Sequence, residues 1–307
     1  MTQGTQSTGY LAAEGYLDQL IADLTAGGGE VASVHGRLAL IDGPPRLAPW
    51  AQNIWYDAQR IPIASIGDAA KKLRAIQRNW ALYPFGLHRR AKLIEGELPP
   101  VSAKKLVFPS PAPAALLGSW TLLDQNTMLA AQRCSSPFRN GEAAFVEDKL
   151  APPNRAYLKL WEALTLAGRH PSPGQRCLDL GASPGGWTWV LQKLGAQVVA
   201  VDKAELDPRV ARLPNVKMRR ESAFALDPRK EAPVDWLFSD VACYPTRLLR
   251  LVRAWLDAGG CRNFVCTLKF QGETDHATAR EFAAIPGARL QHLFHNKHEL
   301  TWTRLEG

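Results

Sequence analysis

The chain has 307 residues, of which 46% are hydrophobic, and a formal net charge of +8. This length predicts about two domains, and the hydrophobic content is enough to give each of them a buried core. We expect neither secretion nor membrane insertion, because no early segment resembles a signal peptide and no apolar run approaches ~20 residues. The five cysteines form no C-x-x-C pair, which predicts reduced thiols in a cytoplasmic protein rather than a metal site or a disulfide framework.

The first half of the chain predicts a separate α+β domain over residues 1–113. Residues 1–8 are expected to be a frayed terminus. The patterns predict, in order, an amphipathic helix over 16–25, a hairpin over 30–41, a strand over 53–65, and a helix capped by Asp68 that runs to about Leu82. This order is typical of a ferredoxin-like or THUMP-like module. Proline-rich stretches at 99–100 and 108–113 mark its end, and residues 114–150 are predicted to be a connector or strands on the following domain.

Basic and aromatic side chains alternate along residues 69–105, where nine lysines and arginines accompany two glutamates. The aromatic and imidazole side chains among them are Trp80, Tyr83, Phe85 and His88. Basic groups neutralise phosphates and exposed rings stack on bases, so the segment predicts contact with RNA. The alternative is a solvated helix face with Leu73 and Trp80 on its buried side. A second basic cluster comprises Arg212, Lys217, Arg219 and Arg220.

A strand, a glycine-rich turn and a helix follow one another from Arg176 to Trp187. The apolar strand ends at Leu180, and a second strand over 197–201 ends in Asp202. This is a βαβ unit with a nucleotide-sized pocket at the point where the strand order reverses. The residues predicted to line the pocket are Asp179, Gly181, Ser183, Pro184, Gly185, Gly186, Trp187, Asp202 and Asp240.

The spacing of the glycines indicates which nucleotide the pocket takes. A dinucleotide fingerprint reads G-x-G-x-x-G, whereas this turn reads G-x-x-x-G-G and follows Asp179. A carboxylate there repels a pyrophosphate but suits the cationic amino-acid end of S-adenosylmethionine. Asp202 is placed to accept both ribose hydroxyls of an adenosine. The alternative is an ordinary strand-to-helix turn of an α/β protein.

Two further apolar segments each lead into a charged residue. Val234–Ser239 is predicted to be a buried strand followed by Asp240, and Asn263–Leu268 a buried strand followed by Lys269. Ligand sites of parallel sheets lie at the carboxyl ends of the strands. Asp240 and Lys269 are therefore expected at the same edge as Asp202.

Lys159 and Glu299 are expected to reach that edge from elements that run in the opposite direction. Lys159 lies early in a helix that begins near Asn154 and runs antiparallel to the strand after it. Glu299 begins the last predicted strand, Glu299–Leu305, whose side chains alternate in polarity. If that strand is antiparallel to its neighbours, its beginning lies at the same edge. The four charged groups predicted to converge are Lys159, Asp240, Lys269 and Glu299.

Several motifs of the second half resemble those of the FtsJ-type ribose 2′-O-methyltransferases. They are L-D-L-G-A-S-P-G-G-W at 178–187, S-D-V at 239–241, L-K at 268–269 and H-E-L-T-W at 298–302. The segment Pro153–Leu160 also resembles a lysine-bearing helix of the family. The resemblance covers residues 152–305 and is closest to members that modify large-subunit ribosomal RNA and carry a THUMP-like domain.

The resemblance implies a Rossmann-like S-adenosylmethionine methyltransferase domain over 151–307 that acts on RNA, with ribosomal RNA as the expected partner and neither a metal nor a membrane involved. It also implies that Lys159, Asp240, Lys269 and Glu299 form a catalytic tetrad. One position departs from the family pattern. Ser222 stands where the family usually has an aspartate near the adenine, and Glu221 is the alternative contact.

The chemistry of these residue types suggests roles. A lysine acts as a base only if its pKa falls well below ~10.4, and burial, a second lysine and a sulfonium charge all lower it, whereas carboxylates raise it. Lys269 is assigned as the base and Asp240 as its orienting partner. Lys159 then holds the hydroxyl or lowers the pKa of Lys269, and Glu299 anchors Lys159.

Other functions remain open at this stage. A methyltransferase for a hydroxyl outside RNA would keep the cofactor turn but have no use for the basic segment. A non-catalytic RNA-binding protein with a vestigial methyltransferase fold would have no need of the four charged groups. An NAD-dependent dehydrogenase is disfavoured by the glycine spacing.

Overall fold

The computed structural model describes residues 7–102, 104–231 and 233–306. The chain forms two compact units, each described here by itself. The first unit comprises the described residues up to Lys105 together with Ala112–Ala144. The second comprises Leu106–Pro111 and the described residues from Phe145 onward.

The first unit is built on a mixed sheet. Its strands are β1 Ser7–Ala12, β2 Val31–His35, β3 Leu38–Asp42, β4 Ala51–Pro62, β5 Trp80–Leu82, β6 Gly118–Leu122, β7 Thr127–Ala131 and β8 Arg133–Cys134. Its helices are α1 Leu17–Ala26, α2 Ile66–Ile76 and α3 His88–Gly96. The strand order is β2-β3-β1-β4-β7-β6-β5, and β8 pairs with β4. Apolar side chains of α2, α3 and the strands form a shared core that includes Leu73, Trp80, Ile94 and Trp120.

Three predictions for the first unit are wrong in detail. The helix expected over 68–82 ends at Ile76, and Trp80–Leu82 is instead a strand that pairs in parallel with β6. The predicted cap is also wrong: the N-cap is Ser65 rather than Asp68, because the Ser65 hydroxyl accepts a hydrogen bond from the Asp68 backbone N–H at 3.1 Å. β1 begins at Ser7, inside the segment expected to be frayed, while residues 1–6 of that prediction lie outside the described residues.

Residues 114–150 are not placed as the sequence suggested. Most of the segment belongs to the first unit, because β7 pairs with β4 through Gln59–Ala130 and Pro62–Thr127, and β6 pairs with β7. Conversely, the proline-rich stretch around Phe108 belongs to the second unit, where its ring stacks on Trp161 with centroids 5.1 Å apart. The strands complete the first sheet rather than connecting two domains.

The second unit alternates helices and strands. Its helices are α4 Tyr157–Ala167, α5 Gly186–Lys193, α6 Pro208–Ala211, α7 Pro228–Glu231, α8 Pro245–Ala258 and α9 His276–Ala283. Its strands are β9 Arg176–Leu180, β10 Gln197–Asp202, β11 Val216–Arg220, β12 Val234–Ser239, β13 Cys261–Lys269, β14 Ala288–Gln291 and β15 Glu299–Arg304. β9, β12 and β13 are almost wholly buried, which explains their continuous apolar sequences.

The second sheet has the strand order β11-β10-β9-β12-β13-β15-β14. The pairs of β9 with β10 and β12, and of β12 with β13, are parallel, whereas β15 is antiparallel to both β13 and β14. The mixed α/β class with a Rossmann-like methyltransferase sheet is therefore confirmed, as is the antiparallel last strand. Its register places Glu299 directly opposite Lys269, so the beginning of β15 lies at the carboxyl edge of the parallel strands. In the described part of the chain, no helix has the length and hydropathy of a membrane span.

Candidate active site

The loop between β9 and α5 needs glycine at two positions. Gly181 has a φ of 77° and Gly185 a φ of 114°, and both values belong to the region that other residues avoid. A side chain at Gly181 would lie 2.6 Å from the Val241 Cα, and one at Gly185 would lie 2.9 Å from a Val210 methyl carbon. The loop therefore passes close to the segments after β12 and β10, and only glycine allows that approach.

Asp179 is fully buried at the end of β9. Its Oδ2 accepts a hydrogen bond of 2.6 Å from the Thr188 hydroxyl, whereas its Oδ1 has no hydrogen-bond partner among the described residues. Burial raises the pKa of this carboxyl to about 7, and the nearby Asp240 and Asp202 charges add to that rise. A buried carboxyl with an unused oxygen, close to two other acids, fits a cationic ligand.

Asp202 ends β10 and holds the glycine-rich loop. Its Oδ2 accepts the backbone N–H of Ser183 at 3.0 Å, and its Oδ1 accepts that of Ala204 at 2.9 Å. The Ser183 hydroxyl in turn donates to the Glu205 carbonyl at 2.8 Å. Each carboxylate oxygen of the half-buried Asp202 keeps acceptor capacity, which suits the predicted contact with ribose hydroxyls.

Pro184, Gly186 and Trp187 fix the loop to its surroundings. The Pro184 carbonyl accepts the Asp207 N–H at 2.9 Å, and Gly186 lies against the Asn154 side chain. The buried Trp187 indole donates to the Ala156 carbonyl at 3.0 Å. These contacts join the start of α5 to the segment that leads into α4, the helix that carries Lys159.

Glu221 and Ser222, the alternatives for the adenine contact, differ in how they are engaged. The Glu221 carboxylate accepts a hydrogen bond of 2.6 Å from Arg219 Nε. Arg219 also pairs with Glu231 at 2.6 Å. The Ser222 hydroxyl accepts the Phe224 N–H at 3.3 Å and retains its own proton for donation. Both residues therefore keep an oxygen that can accept a hydrogen bond from an adenine amine.

The four charged residues predicted to converge do so. Lys159 Nζ lies 2.8 Å from Asp240 Oδ1 and 2.7 Å from Glu299 Oε1. Lys269 Nζ lies 3.3 Å from the same Asp240 oxygen and donates to the Asp240 carbonyl at 2.5 Å. Lys159 and Glu299 are buried, whereas the Lys269 side chain is 25% exposed. Lys269 is thus the member of this tetrad with the most access to a ligand.

Within the tetrad, ion pairing outweighs burial in its effect on the pKa values of Lys159 and Asp240. Burial lowers the pKa of Lys159, but the carboxylates of Asp240 and Glu299 outweigh it, so that the net shift is upward. For Asp240, burial raises the pKa, but the ammonium groups of Lys159 and Lys269 outweigh it and the net shift is downward. Lys159 and Asp240 are therefore a charged pair at neutral pH, and Lys159 keeps its proton.

Sequence reasoning missed a buried clamp on the loop before β15. Glu162 is 1% exposed. Its Oε1 accepts the Phe294 N–H at 2.8 Å, and its Oε2 accepts the His295 N–H at 3.0 Å and lies 2.7 Å from the His295 Nδ1. The same loop supplies Asn296, whose amide donates to the Glu299 carbonyl at 3.0 Å. The sequence did offer a signal for this clamp. Glu162 is, with Lys159, one of two charged residues in the mostly apolar helix α4.

The basic segment of the first unit contains less exposed aromatic surface than predicted. Trp80 and Tyr83 are 2% and 5% exposed, so the prediction that they stack on bases is wrong, and the alternative that Leu73 and Trp80 share a core is confirmed. Phe85 and His88 remain exposed, as does Arg89. In the second cluster, Arg219 and Arg220 form ion pairs with acids, whereas Arg212 and Lys217 are exposed.

Comparison with known families agrees with this geometry. Residues 152–277 match the family model described as FtsJ-like methyltransferase. The second unit therefore carries a domain of the FtsJ-like methyltransferase family, and the resemblance noted in the sequence is confirmed.

The chain is also similar to curated proteins with the name "Ribosomal RNA large subunit methyltransferase M". The Halorhodospira halophila protein is 38% identical over 157 residues, which cover 48% of this chain and 46% of that protein. The Alkalilimnicola ehrlichii protein is 37% identical over 49% of this chain and 45% of its own length. The Methylococcus capsulatus protein is 32% identical over 76% of this chain and 65% of its own length. For the first two relatives, the similar region spans about half the length of each curated protein.

Proposed function

We propose that the chain is an S-adenosylmethionine-dependent ribose 2′-O-methyltransferase that acts on ribosomal RNA in the cytoplasm. The observation that carries the proposal is the contact of two lysines with one partly buried carboxylate, Asp240, beside a loop that fits a cationic cofactor. The FtsJ-like domain supports methyl transfer. The names of the relatives support ribosomal RNA as the substrate.

The residues of the glycine-rich loop fit the proposed cofactor. S-adenosylmethionine supplies a methyl group on a sulfonium. The unused Oδ1 of Asp179 would face the cationic end, and Asp202 would accept hydrogen bonds from the ribose hydroxyls. Gly181 and Gly185 let the loop pass close to Val241 and Val210, and Ser222 or Glu221 would accept a hydrogen bond from the adenine amine. In the described part of the chain, no group of three or more side chains has the arrangement of a metal site.

The tetrad would activate the acceptor by holding and moving one proton. A ribose hydroxyl becomes a good nucleophile when its proton leaves, and the neutral amine form of Lys269 would receive that proton on Nζ and become the ammonium. Because Lys159 is kept protonated by two carboxylates, it cannot serve as the base. Its fixed positive charge would stabilise the oxyanion that forms at the hydroxyl.

Asp240 and Glu299 would position the two lysines. Asp240 Oδ1 and its own carbonyl both contact Lys269, which directs the amine to the open edge of the sheet. Glu299 contacts Lys159 from the opposite side. Because an in-line transfer depends chiefly on geometry, fixing both nitrogens around one carboxylate accounts for much of the proposed rate enhancement.

The test compares Lys269→Ala and Lys269→Arg with Lys193→Ala, a substitution at an exposed lysine in the last turn of α5. We expect methyl transfer to RNA to fall about 10²- to 10⁴-fold in both Lys269 variants, because alanine and a permanently protonated guanidinium cannot accept the proton. Affinity for S-adenosylmethionine, measured by calorimetry, should stay unchanged. Lys193→Ala should match the wild type in both assays.

Other outcomes would contradict parts of the proposal. Near-normal transfer by Lys269→Arg would show that position 269 supplies only positive charge and that the proton leaves by another route. Absence of transfer by the wild type to unmodified large-subunit ribosomal RNA would contradict the proposed activity itself. The assembled tetrad argues against a vestigial binding protein, which would not need it.

A further inference from the structure

The loop that leaves the active edge after Asp240 presents an exposed tyrosine. Tyr244 follows Asp240 by four residues, so the two Cα atoms lie at most about 14 Å apart, and its side chain is 63% exposed. The Tyr244 carbonyl accepts the N–H groups of Arg247 at 3.0 Å and Leu248 at 3.3 Å. The backbone is thus fixed by the start of α8, while the ring is left in solvent beside the tetrad.

An arginine of the first turn of α8 is held in a stack. The guanidinium carbon of Arg247 lies 3.8 Å from the centroid of the Phe224 ring. A guanidinium stacked by its face keeps its N–H donors in the plane, where they match phosphate oxygens. Phe224 itself follows Ser222, so the stack stands between the proposed adenine contact and the beginning of α8.

The next exposed arginine on α8, Arg250, is also available to bind an anion. Arg250 lies one turn after Arg247, and among residues 7–102, 104–231 and 233–306 neither side chain forms an ion pair with an acid. Arg253, one turn further, is different because it pairs with Glu281 at 2.8 Å. The start of α8 therefore carries two uncompensated positive charges, and the charge of the third arginine is neutralised.

The Arg247 charge lies close to the tetrad. The thiol of Cys243 is buried next to Tyr244, and burial raises its pKa, while the charges of Arg247 and Lys269 both oppose that rise. Both cations are therefore within electrostatic reach of one thiol. An anionic chain that brings a hydroxyl to Lys269 would therefore pass within electrostatic reach of Arg247.

We infer that Tyr244, Arg247 and Arg250, here named the α8 surface, bind the RNA strand next to the nucleotide that is methylated. Tyr244 stacks on the base of a neighbouring nucleotide, and the two arginines contact backbone phosphates. An exposed ring with adjacent unpaired guanidinium groups is the combination that binds single-stranded nucleic acid. The inference rests on the proposed function, since it takes RNA as the substrate.

The experiment uses the full chain and unmodified large-subunit ribosomal RNA transcribed in vitro. The variants are Tyr244→Ala, Tyr244→Phe and the double substitution Arg247→Ala with Arg250→Ala. Arg253→Ala is the matched control on the same helix. Five quantities are measured for each: S-adenosylmethionine affinity by calorimetry, RNA affinity over a range of salt concentrations, the KM and kcat of methyl transfer, and the melting temperature.

We expect Tyr244→Ala to weaken RNA binding and raise the RNA KM by about 5- to 100-fold, the loss of one stacked base. Tyr244→Phe should stay within about twofold, because phenylalanine stacks as well. The double arginine variant should lower the slope of log affinity against log salt by about 1 to 2. Affinity for S-adenosylmethionine should be unchanged in all variants. The melting temperature should be unchanged in the Tyr244 variants, because that side chain is exposed, and slightly lower in the double arginine variant, which loses the contact of Arg247 with the Phe224 ring.

The inference is overturned if Tyr244→Ala and the double arginine variant have the same RNA affinity and KM as Arg253→Ala. That result would leave the proposed function standing. An equal loss in Tyr244→Phe and Tyr244→Ala would also overturn stacking. If the wild type binds RNA without methylating it, the proposed activity fails, but the binding measurements still test the α8 surface. If the wild type does not bind RNA, both proposals fail.

Discussion

Asp179 combines two properties that conflict in the absence of a ligand. It is fully buried, and its Oδ1 has no partner among the described residues, so the folded protein disfavours its charge and the pKa rises to about 7. Such a carboxyl lowers stability in the ligand-free state and favours a cation when one binds. Residues at functional sites often destabilise the fold in this way.

Replacement of this carboxyl by an amide should stabilise the ligand-free protein while weakening cofactor binding. Above pH ~4 the unfolded chain loses the Asp179 proton that the folded chain keeps until about pH 7, so this group lowers stability as pH rises through that interval. The variant Asp179→Asn has no charge to bury and so avoids this loss of stability. The asparagine oxygen can still accept the hydrogen bond from Thr188. At pH 8 we expect a higher melting temperature, by about 2–4 °C per kcal/mol recovered.

The same variant should bind S-adenosylmethionine more weakly, because an amide does not attract a cation as a carboxylate does. Asp257→Asn, at an exposed position of α8, serves as the control. Thermal unfolding at pH 5 and pH 8, with and without S-adenosylmethionine, measures both effects. A lower melting temperature of ligand-free Asp179→Asn at pH 8 would show that the buried charge does not oppose folding.

At the scale of elements, the clamp by Glu162 connects α4 to the loop before β15. Glu162 and Lys159 lie one turn apart on the same helix, and Glu162 holds Phe294 and His295 while Lys159 contacts Glu299. Lys297 of the loop also donates its N–H to Glu299 Oε1 at 3.3 Å. The helix therefore fixes both the Glu299 carboxylate and the loop that leads to it.

Glu162→Ala should consequently reduce turnover, although the Glu162 side chain is not expected to contact the cofactor or the RNA. The substitution removes the acceptor of two part-buried N–H groups, those of Phe294 and His295, and allows Glu299 to move away from Lys159. We expect kcat to fall by at least tenfold while the affinities for S-adenosylmethionine and RNA stay within twofold. Glu281→Ala, which removes an exposed ion pair, is the control. An unchanged kcat in a destabilised Glu162→Ala variant would limit the clamp to a structural role.

The elements that sequence predicted well are those with strong local patterns. Asp240 and Lys269 were placed correctly because each follows an apolar strand that is buried on both faces. Glu299 was placed by the alternating pattern of the last strand, together with the expectation that this strand is antiparallel. Where periodicity and topology agree, the order of the elements predicts which residues lie at the carboxyl edge of the sheet.

The elements that sequence did not predict depend on contacts between distant residues. β5 has three residues, too few for a pattern, and is a strand because β6 lies beside it. The 114–150 segment joins the first unit through pairing with β4, which no local signal specifies. The α8 surface was overlooked because Arg247 and Phe224 meet only in the folded chain.

At the scale of the whole molecule, the net charge of +8 predicts a strong dependence of RNA binding on salt. Arg89 is an exposed basic residue of the first unit, whereas Arg133 of the same unit pairs with Asp57 at 3.0 Å. We expect Arg89→Ala to lower the salt slope of RNA binding by about 1 and Arg133→Ala to change it less. Identical salt titrations for Arg89→Ala and the wild type would show that Arg89 is only solvated.

β15 lies between β13 and β14 in the sheet but follows both in the sequence, so Glu299 is the last of the four charged residues to be synthesised. A nascent chain that has not yet reached Glu299 already contains the glycine-rich loop, Lys159, Asp240 and Lys269. Its β13, however, lacks the neighbour that supplies the fourth charged group, and an unpaired apolar edge favours association with other chains. A chain that stops before β15 would therefore carry the glycine-rich loop and three charged groups, but it would lack the cover on the β13 edge and the Glu299 contact that helps to fix Lys159.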